Sequence, residues 1–306
     1  MFPLHIHMPG REASASALRT TLSDALERLY ARDTALPAHR LASLLVTDET
    51  ATEGEAAGRS PLQRTDTADG YRLTLSARFA EQALAGDPEQ VLELVHLLHR
   101  ELWRGELAQE HAPKRADEDA LMAQFSPIVD LMFDEYRANR ASAWSLPGRS
   151  DLLLPHLMGL LQELPAACDR ARADYQLDGD LDALTGLSMA RLALLMQSVA
   201  FSLGYLAGLG RTVADIAPEL KDALDNAFIA REWPRISALL AGAANSRNED
   251  RAVQLDLLRI RVMAIFEGMG LRMRVDGSGL RVDVSAASTG ALEAAAARLT
   301  AGEGQA

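Results

Sequence analysis

The chain has 306 residues, of which 48% are apolar and 24% charged, and a net charge of −12. This is enough apolar material for a sizeable core in one large domain or two ordinary ones, and it excludes a disordered chain. The acidic balance opposes close approach to phosphate backbones and anionic lipid, so neither nucleic acid nor a membrane surface is expected as a partner.

Residues 1–10 lack the basic start and long apolar core of a secretory signal, so a cytoplasmic protein is expected. His5 and His7 share one face if that stretch is a strand, a weak chelating geometry, although a flexible end explains them more simply. Residues 14–30 predict an amphipathic helix, with Ala17, Leu18, Thr21, Leu22, Ala25, Leu26 and Leu29 at helical spacing. A short strand follows over 41–46, and residues 50–70 are polar and rich in Gly, Ala and Asp, as a surface loop would be. Tyr71 to Ser76 alternates with period two, the pattern of a half-buried strand. Asp87-Pro88-Glu89 then opens a helix with a capping residue and a proline in its first turn.

That helix, read to residue 109, carries most of the chemistry. Arg100-Glu101-Leu102-Trp103-Arg104 has the spacing of HExxH, in which two imidazoles four residues apart share a helix face and bind zinc while the Glu activates its water. Arg stands at both imidazole positions, and guanidinium offers no lone pair to a cation. A second helix over 125–144 contains Asp134-Glu135-Tyr136-Arg137-Ala138-Asn139-Arg140, and Ala112-Pro113-Lys114 supplies a turn between the two.

Helix, strand, loop, strand, helix and a further helix with a carboxylate resemble the zincin-like metallopeptidase fold. There a small sheet packs on the HExxH helix and the next helix supplies a glutamate as third ligand. The resemblance covers roughly the first half of the chain, and the EYRANR stretch looks like the carboxylate motif of bacterial zincin-like proteins. It implies that Glu101 is a vestigial general-base position and Glu135 the third-ligand position. Arg140, five residues beyond Glu135, is a candidate to orient it.

Three readings of the helix stay open. The plainest is a purely structural helical scaffold, in which an amphipathic helix buries Val91, Leu94, Val95, Leu98 and Leu102 and carries ion pairs on its flank. The second is a degenerate zincin without metal, in which Arg100 and Arg104 compensate Glu101 and Glu135 and the protein binds a peptide or protein partner through the former substrate cleft or the helical extension. The third is a zinc-dependent peptidase in a shifted register, with His96 and His99, three apart, and Glu135 as ligands. Zinc is the one cofactor any of these invokes, and only the third requires it.

The second half predicts helices: one or two over 150–175 interrupted near Pro165, a buried one over 188–209, shorter pieces over 217–243 broken at Pro218 and Pro234, and another over 253–267. Residues 192–209 carry no charge and approach membrane-spanning length, yet Arg191, Gln197, Ser198 and Ser202 favour a buried soluble helix. Ala200, Gly204 and Gly208 would let another helix approach closely. Two alternating runs, 271–276 and 280–284, flank Gly277-Ser278-Gly279 as a hairpin. Cys168, the single cysteine, cannot form an intrachain disulfide, fits a reducing compartment and is expected to be a small core residue. His111 and His156 read as surface histidines, and Tyr136 and Trp144 as packing anchors with polar tips.

The expected architecture is therefore α+β: a zincin-like region with a small sheet over 11–149, a helical extension ending in a β-hairpin over 150–290, and a tail over 291–306 with a last helix before an unstructured end.

Overall fold

The computed structural model describes residues 3–36, 40–48, 61–68, 70–86, 88–107, 119–146, 154–277 and 279–303. Residues 50–60 and 69 of the loop expected over 50–70, the Asp87 cap, the Ala112-Pro113-Lys114 turn, His111, Ser278 and the last three residues of the tail lie outside them. The fold is mixed α+β, and the described residues divide into two compact units. The first comprises Met1–His111, Arg137–Ser150 and Gly204–Gly210; the second comprises Ala112–Tyr136, Asp151–Leu203 and Arg211–Ala306. Compared with a boundary at 149/150, residues 112–136 join the second unit and 204–210 the first.

The first unit begins with β1 (Leu4–His7), α1 (Glu12–Arg32) and β2 (Leu41–Thr47), a parallel pair joined through a helix. β3 (Leu62–Thr67) and β4 (Gly70–Ser76) form an antiparallel hairpin, β4 lies parallel to β2, and the sheet order is β1-β2-β4-β3. Gly70 is required at the bend, because its φ is +149° and a Cβ would lie 2.0 Å from the Arg40 carbonyl oxygen. α2 (Ala77–Ala85) and α3 (Pro88–Leu107) follow. Leu18, Leu22, Leu26 and Leu29 of α1 are buried at helical spacing, in one core with Leu44, Val46, Leu73 and Leu75 of the sheet and Leu94, Leu98 and Leu102 of α3.

Three elements here depart from expectation. Residues 4–7 are a strand, not a flexible end, because their backbone pairs with β2 from Leu4↔Leu44 to His7↔Thr47. β3 lies within the stretch read as a loop; Gln63-Arg64-Thr65-Asp66-Thr67 has no apolar alternation because an edge strand needs little burial. α2 was not separated from the surrounding sequence, although Ser76 caps it by accepting from the Phe79 N–H.

α4 (Ala120–Ser142) carries Glu135 and Arg140 and is followed by a 3-10 turn, Ala143–Ser145. The second unit adds α5 (Leu154–Asp178), α6 (Leu181–Leu209), the short α7 (Val213–Ile216), α8 (Pro218–Asn226), α9 (Trp233–Asn245) and α10 (Asn248–Gly268), the hairpin β5 (Leu271–Asp276) with β6 (Gly279–Val284), and α11 (Thr289–Glu303). α5 runs unbroken through Pro165. Pro218 and Pro234 begin helices rather than break them, since a first-turn residue needs no donor. α11 starts before the expected tail, and Arg298 ties it to Asp174 of α5 at 2.6 Å. Cys168 is buried, and burial pushes its thiol pKa up.

Among the described residues α6 is the one helix long and apolar enough to cross a membrane, but 67% of that apolar window is buried within the protein. Its Ser198 and Ser202 hydroxyls donate to the carbonyls of Leu194 and Ser198, four residues back, which removes their polar cost. Close approach along the small-residue stripe is real at Gly208, where a Cβ would lie 2.4 Å from the Arg140 carbonyl oxygen.

Candidate functional site

α3 is seated on the sheet by Tyr71 of β4. A Cβ on Gly105 would lie 2.4–2.6 Å from the Tyr71 ring, and the Tyr71 hydroxyl donates to the Leu102 carbonyl at 3.2 Å and Glu106 Oε1 at 3.3 Å. Burial raises the pKa of this phenol, so it remains a donor. From β3, Arg64 Nη1 donates to the Arg104 carbonyl at 2.8 Å, satisfying an oxygen in the last turn of α3.

Glu101 is 3% exposed and enclosed by its own helix neighbours. Arg100 donates from Nη2 at 2.8 Å and from Nε at 3.2 Å to Oε1; Arg104 Nη1 reaches Oε1 at 3.1 Å and Oε2 at 3.4 Å. Burial alone would raise the carboxyl pKa, yet the two guanidiniums outweigh it and hold Glu101 below the usual carboxylate range. A carboxylate with several guanidinium donors is a poor general base. The residues do not fit a zinc ion either, because both HExxH ligand positions hold cations already engaged with the intervening Glu.

The histidines occupy another flank of α3. His96 Nδ1 and His99 Nδ1 each lie 3.0 Å from Ser145 Oγ, and Ser145 lies 2.7 Å from the Ser142 carbonyl oxygen as its donor. His99 Nε2 is 2.8 Å from Asp33 Oδ2, which also accepts from Trp103 Nε1 at 2.8 Å. Trp144 stands edge-on to the His99 ring at 4.7 Å and under the Arg32 guanidinium at 4.2 Å. Burial drives the His96 pKa down to about 3, aided by Arg100 and His99. Burial also lowers that of His99, against the opposing pull of Asp33. His96 is therefore neutral near pH 7. Asp33, His99 and Ser145 stand in the order of a nucleophile relay. The Ser145 hydroxyl, however, is committed to the Ser142 carbonyl and to two imidazoles, and it serves as the centre of a structural network.

The sequence-expected residues thus assemble as two groups on α3: Arg100, Glu101 and Arg104 together, and His96 with His99 at Ser145. Glu135 is 1% exposed and belongs to the second unit, where Gln197 Nε2 donates to its Oε1 at 2.9 Å; Arg140 belongs to the first. Among the described residues, no three His, Cys, Asp or Glu side chains are grouped as a metal site. His5 and His7 are both exposed along β1, and Tyr136 is buried as a packing residue.

Sequence reasoning missed Asp33 and Ser145. Asp33 follows the last residue of α1, where its backbone N–H closes the helix on the Leu29 carbonyl at 2.7 Å. A helix-ending Asp and a Ser after a Trp carry no local signal of a shared partner. Comparison with protein-family models, curated proteins and solved structures finds no match.

Proposed function

We propose that this is a catalytically inactive zincin-like protein of the cytoplasm whose first unit binds an extended peptide or protein segment along the open edge of β3. The observation that carries the reading is Glu101, buried and held by two guanidiniums at the positions where the zincin-like motif would place metal ligands. Fixed positive charge there supports a fold that has no need of a cation. The sheet order, with one antiparallel edge strand beside α3, is consistent with the resemblance.

Among the described residues β3 pairs with β4 alone. The Ser76 N–H donates to the Pro61 carbonyl at 2.9 Å, so the antiparallel alternation assigns Gln63, Thr65 and Thr67 to the ladder and turns the backbone groups of Arg64 and Asp66 to the other edge. Such an edge accepts a strand from a partner.

Peptides selected from a random display library test this. Asp66→Pro removes an edge-facing N–H, a position where proline spares the β3–β4 ladder. Selected peptides should lose at least tenfold in affinity for that variant while its melting temperature holds. Equal binding to both proteins overturns the β3 edge as the site, and stoichiometric zinc in the purified protein overturns the inactive reading.

A further inference from the structure

Away from the β3 edge, α1, α2, α3 and the 3-10 turn enclose a cavity of about 520 Å³ within the first unit. That lies inside the range of roughly 300–1,000 Å³ typical of small-molecule sites. Its walls are apolar, built from Leu22 and Leu29 of α1 and Leu94 and Val95 of α3, and it is open enough that Leu92 at its mouth is 39% exposed. An apolar recess of this size left to water is unfavourable, and filling it with an alkyl group would be favourable.

The polar residues around it are not random in sign. Arg28 and Arg32, one turn apart on α1, line the cavity, and among the described residues neither makes an ion pair with a carboxylate. Arg32 is held in place by stacking over Trp144, itself a wall of the cavity, at 4.2 Å. Asp24 is the one acidic lining residue, so two cations face one carboxylate. Ser145 also reaches the lining, with its hydroxyl tied to the Ser142 carbonyl and the two histidines. A protein of net charge −12 thus keeps a locally cationic rim beside an apolar recess.

We infer that this cavity binds a free fatty carboxylate, its alkyl chain lying between Leu22, Leu94 and Val95 and its head group on the Arg28 and Arg32 guanidiniums. Guanidinium forks match a carboxylate with paired N–H donors, and the stacked Arg32 is already ordered for that contact. An alkyl alcohol would fill the same walls without the charge. An alkylammonium would be repelled at the rim.

Calorimetric titration with octanoate, decanoate and dodecanoate below their micellar concentrations tests the site. One equivalent should bind, tightening about fourfold per added methylene until the cavity is full. Dodecanol should bind at least tenfold more weakly than dodecanoate, and dodecyltrimethylammonium more weakly still. The exposed double variant Arg28→Gln with Arg32→Gln should abolish the preference for acid over alcohol while leaving alcohol binding in place. Leu92→Trp, at the mouth, should weaken both. Equal affinity for dodecanoate and dodecanol, an unchanged acid preference in the double arginine variant, or no binding of monomeric dodecanoate would each overturn the inference. Binding to phosphatidylglycerol vesicles without binding of the monomeric acid would overturn it in favour of a membrane surface.

Discussion

Two flanks of one helix solve the same problem, polar groups buried against a core, by opposite means. On one flank of α3, Glu101 stays charged and is balanced by Arg100 and Arg104, residues one and three positions away on the same helix. On the other, burial depresses the pKa of His96 and His99, and the two rings are held by groups from elsewhere, Ser145 at a separation of 46 residues from His99 and Asp33 at 66. Charge compensation along a helix is local and needs no particular tertiary structure. The histidine network exists only once α1, α3 and the 3-10 turn have come together, so it reports on the fold whereas the arginine clamp reports on the helix.

The sharpest way to break this comparison is Glu101→Ala, which leaves two guanidiniums facing an emptied site. Removing one member of a buried ion group costs about 3 kcal/mol, and urea denaturation should show a loss of that order. A loss below about 1 kcal/mol would mean that both arginines simply turn to solvent, as surface pairs do. Asp33→Ala should follow, at about 2 kcal/mol, since His99 Nε2 and Trp103 Nε1 both lose their acceptor. Its near-ultraviolet circular dichroism should change with the setting of Trp103, which the Glu101 variant should leave alone.

The smallest expected effect is one of pH. His96 has a folded pKa depressed to about 3, so between its ordinary value of 6.5 and that value the unfolded chain binds more protons than the folded one. Stability is therefore complete above pH 6.5 and is lost as pH falls, with a slope of up to about 1.4 kcal/mol per pH unit. His99 acts in the same direction. Glu101, also depressed, contributes stability that is lost only as pH falls through its folded value, below the usual carboxylate range. Denaturation between pH 6.5 and 5 thus isolates the histidine flank, and His96→Gln should flatten the slope there by about 1 kcal/mol per pH unit. An unchanged slope would show that His96 is not buried in its neutral form.

These flanks also explain what could be read from the sequence. The α3 helix, its arginine–glutamate cluster and the strands at 41–46 and 71–76 were legible because helical spacing and period-two alternation record burial directly. β3 was not, since Gln63 to Thr67 are an exposed edge whose order comes from backbone pairing with β4, and pairing leaves no mark on side-chain polarity. Pro165 suggested an interruption that α5 does not make. Gly70 turns the chain beside the Arg40 carbonyl and Gly105 makes room for the Tyr71 ring, requirements that depend on residues distant in sequence and leave no local mark. The cavity was hidden for a related reason: Leu22, Leu94 and Trp144 each read as core residues, and only their assembled arrangement leaves space between them.

The first unit is also discontinuous along the chain, and that has a consequence during synthesis. Its final segment, Gly204–Gly210, contains Gly208, which packs where a Cβ would strike the Arg140 carbonyl oxygen. Between the end of α3 at Leu107 and that glycine lie about a hundred residues. At roughly 5–20 residues per second the ribosome needs on the order of ten seconds to cross them. Throughout that interval the nascent sheet and α3 exist without the helix end that completes their unit, and apolar surface remains available to chaperones or to neighbouring chains. Slowing translation between residues 107 and 204 should therefore favour aggregation over folding unless the incomplete unit is held by a chaperone, an outcome read as the soluble fraction of the expressed protein.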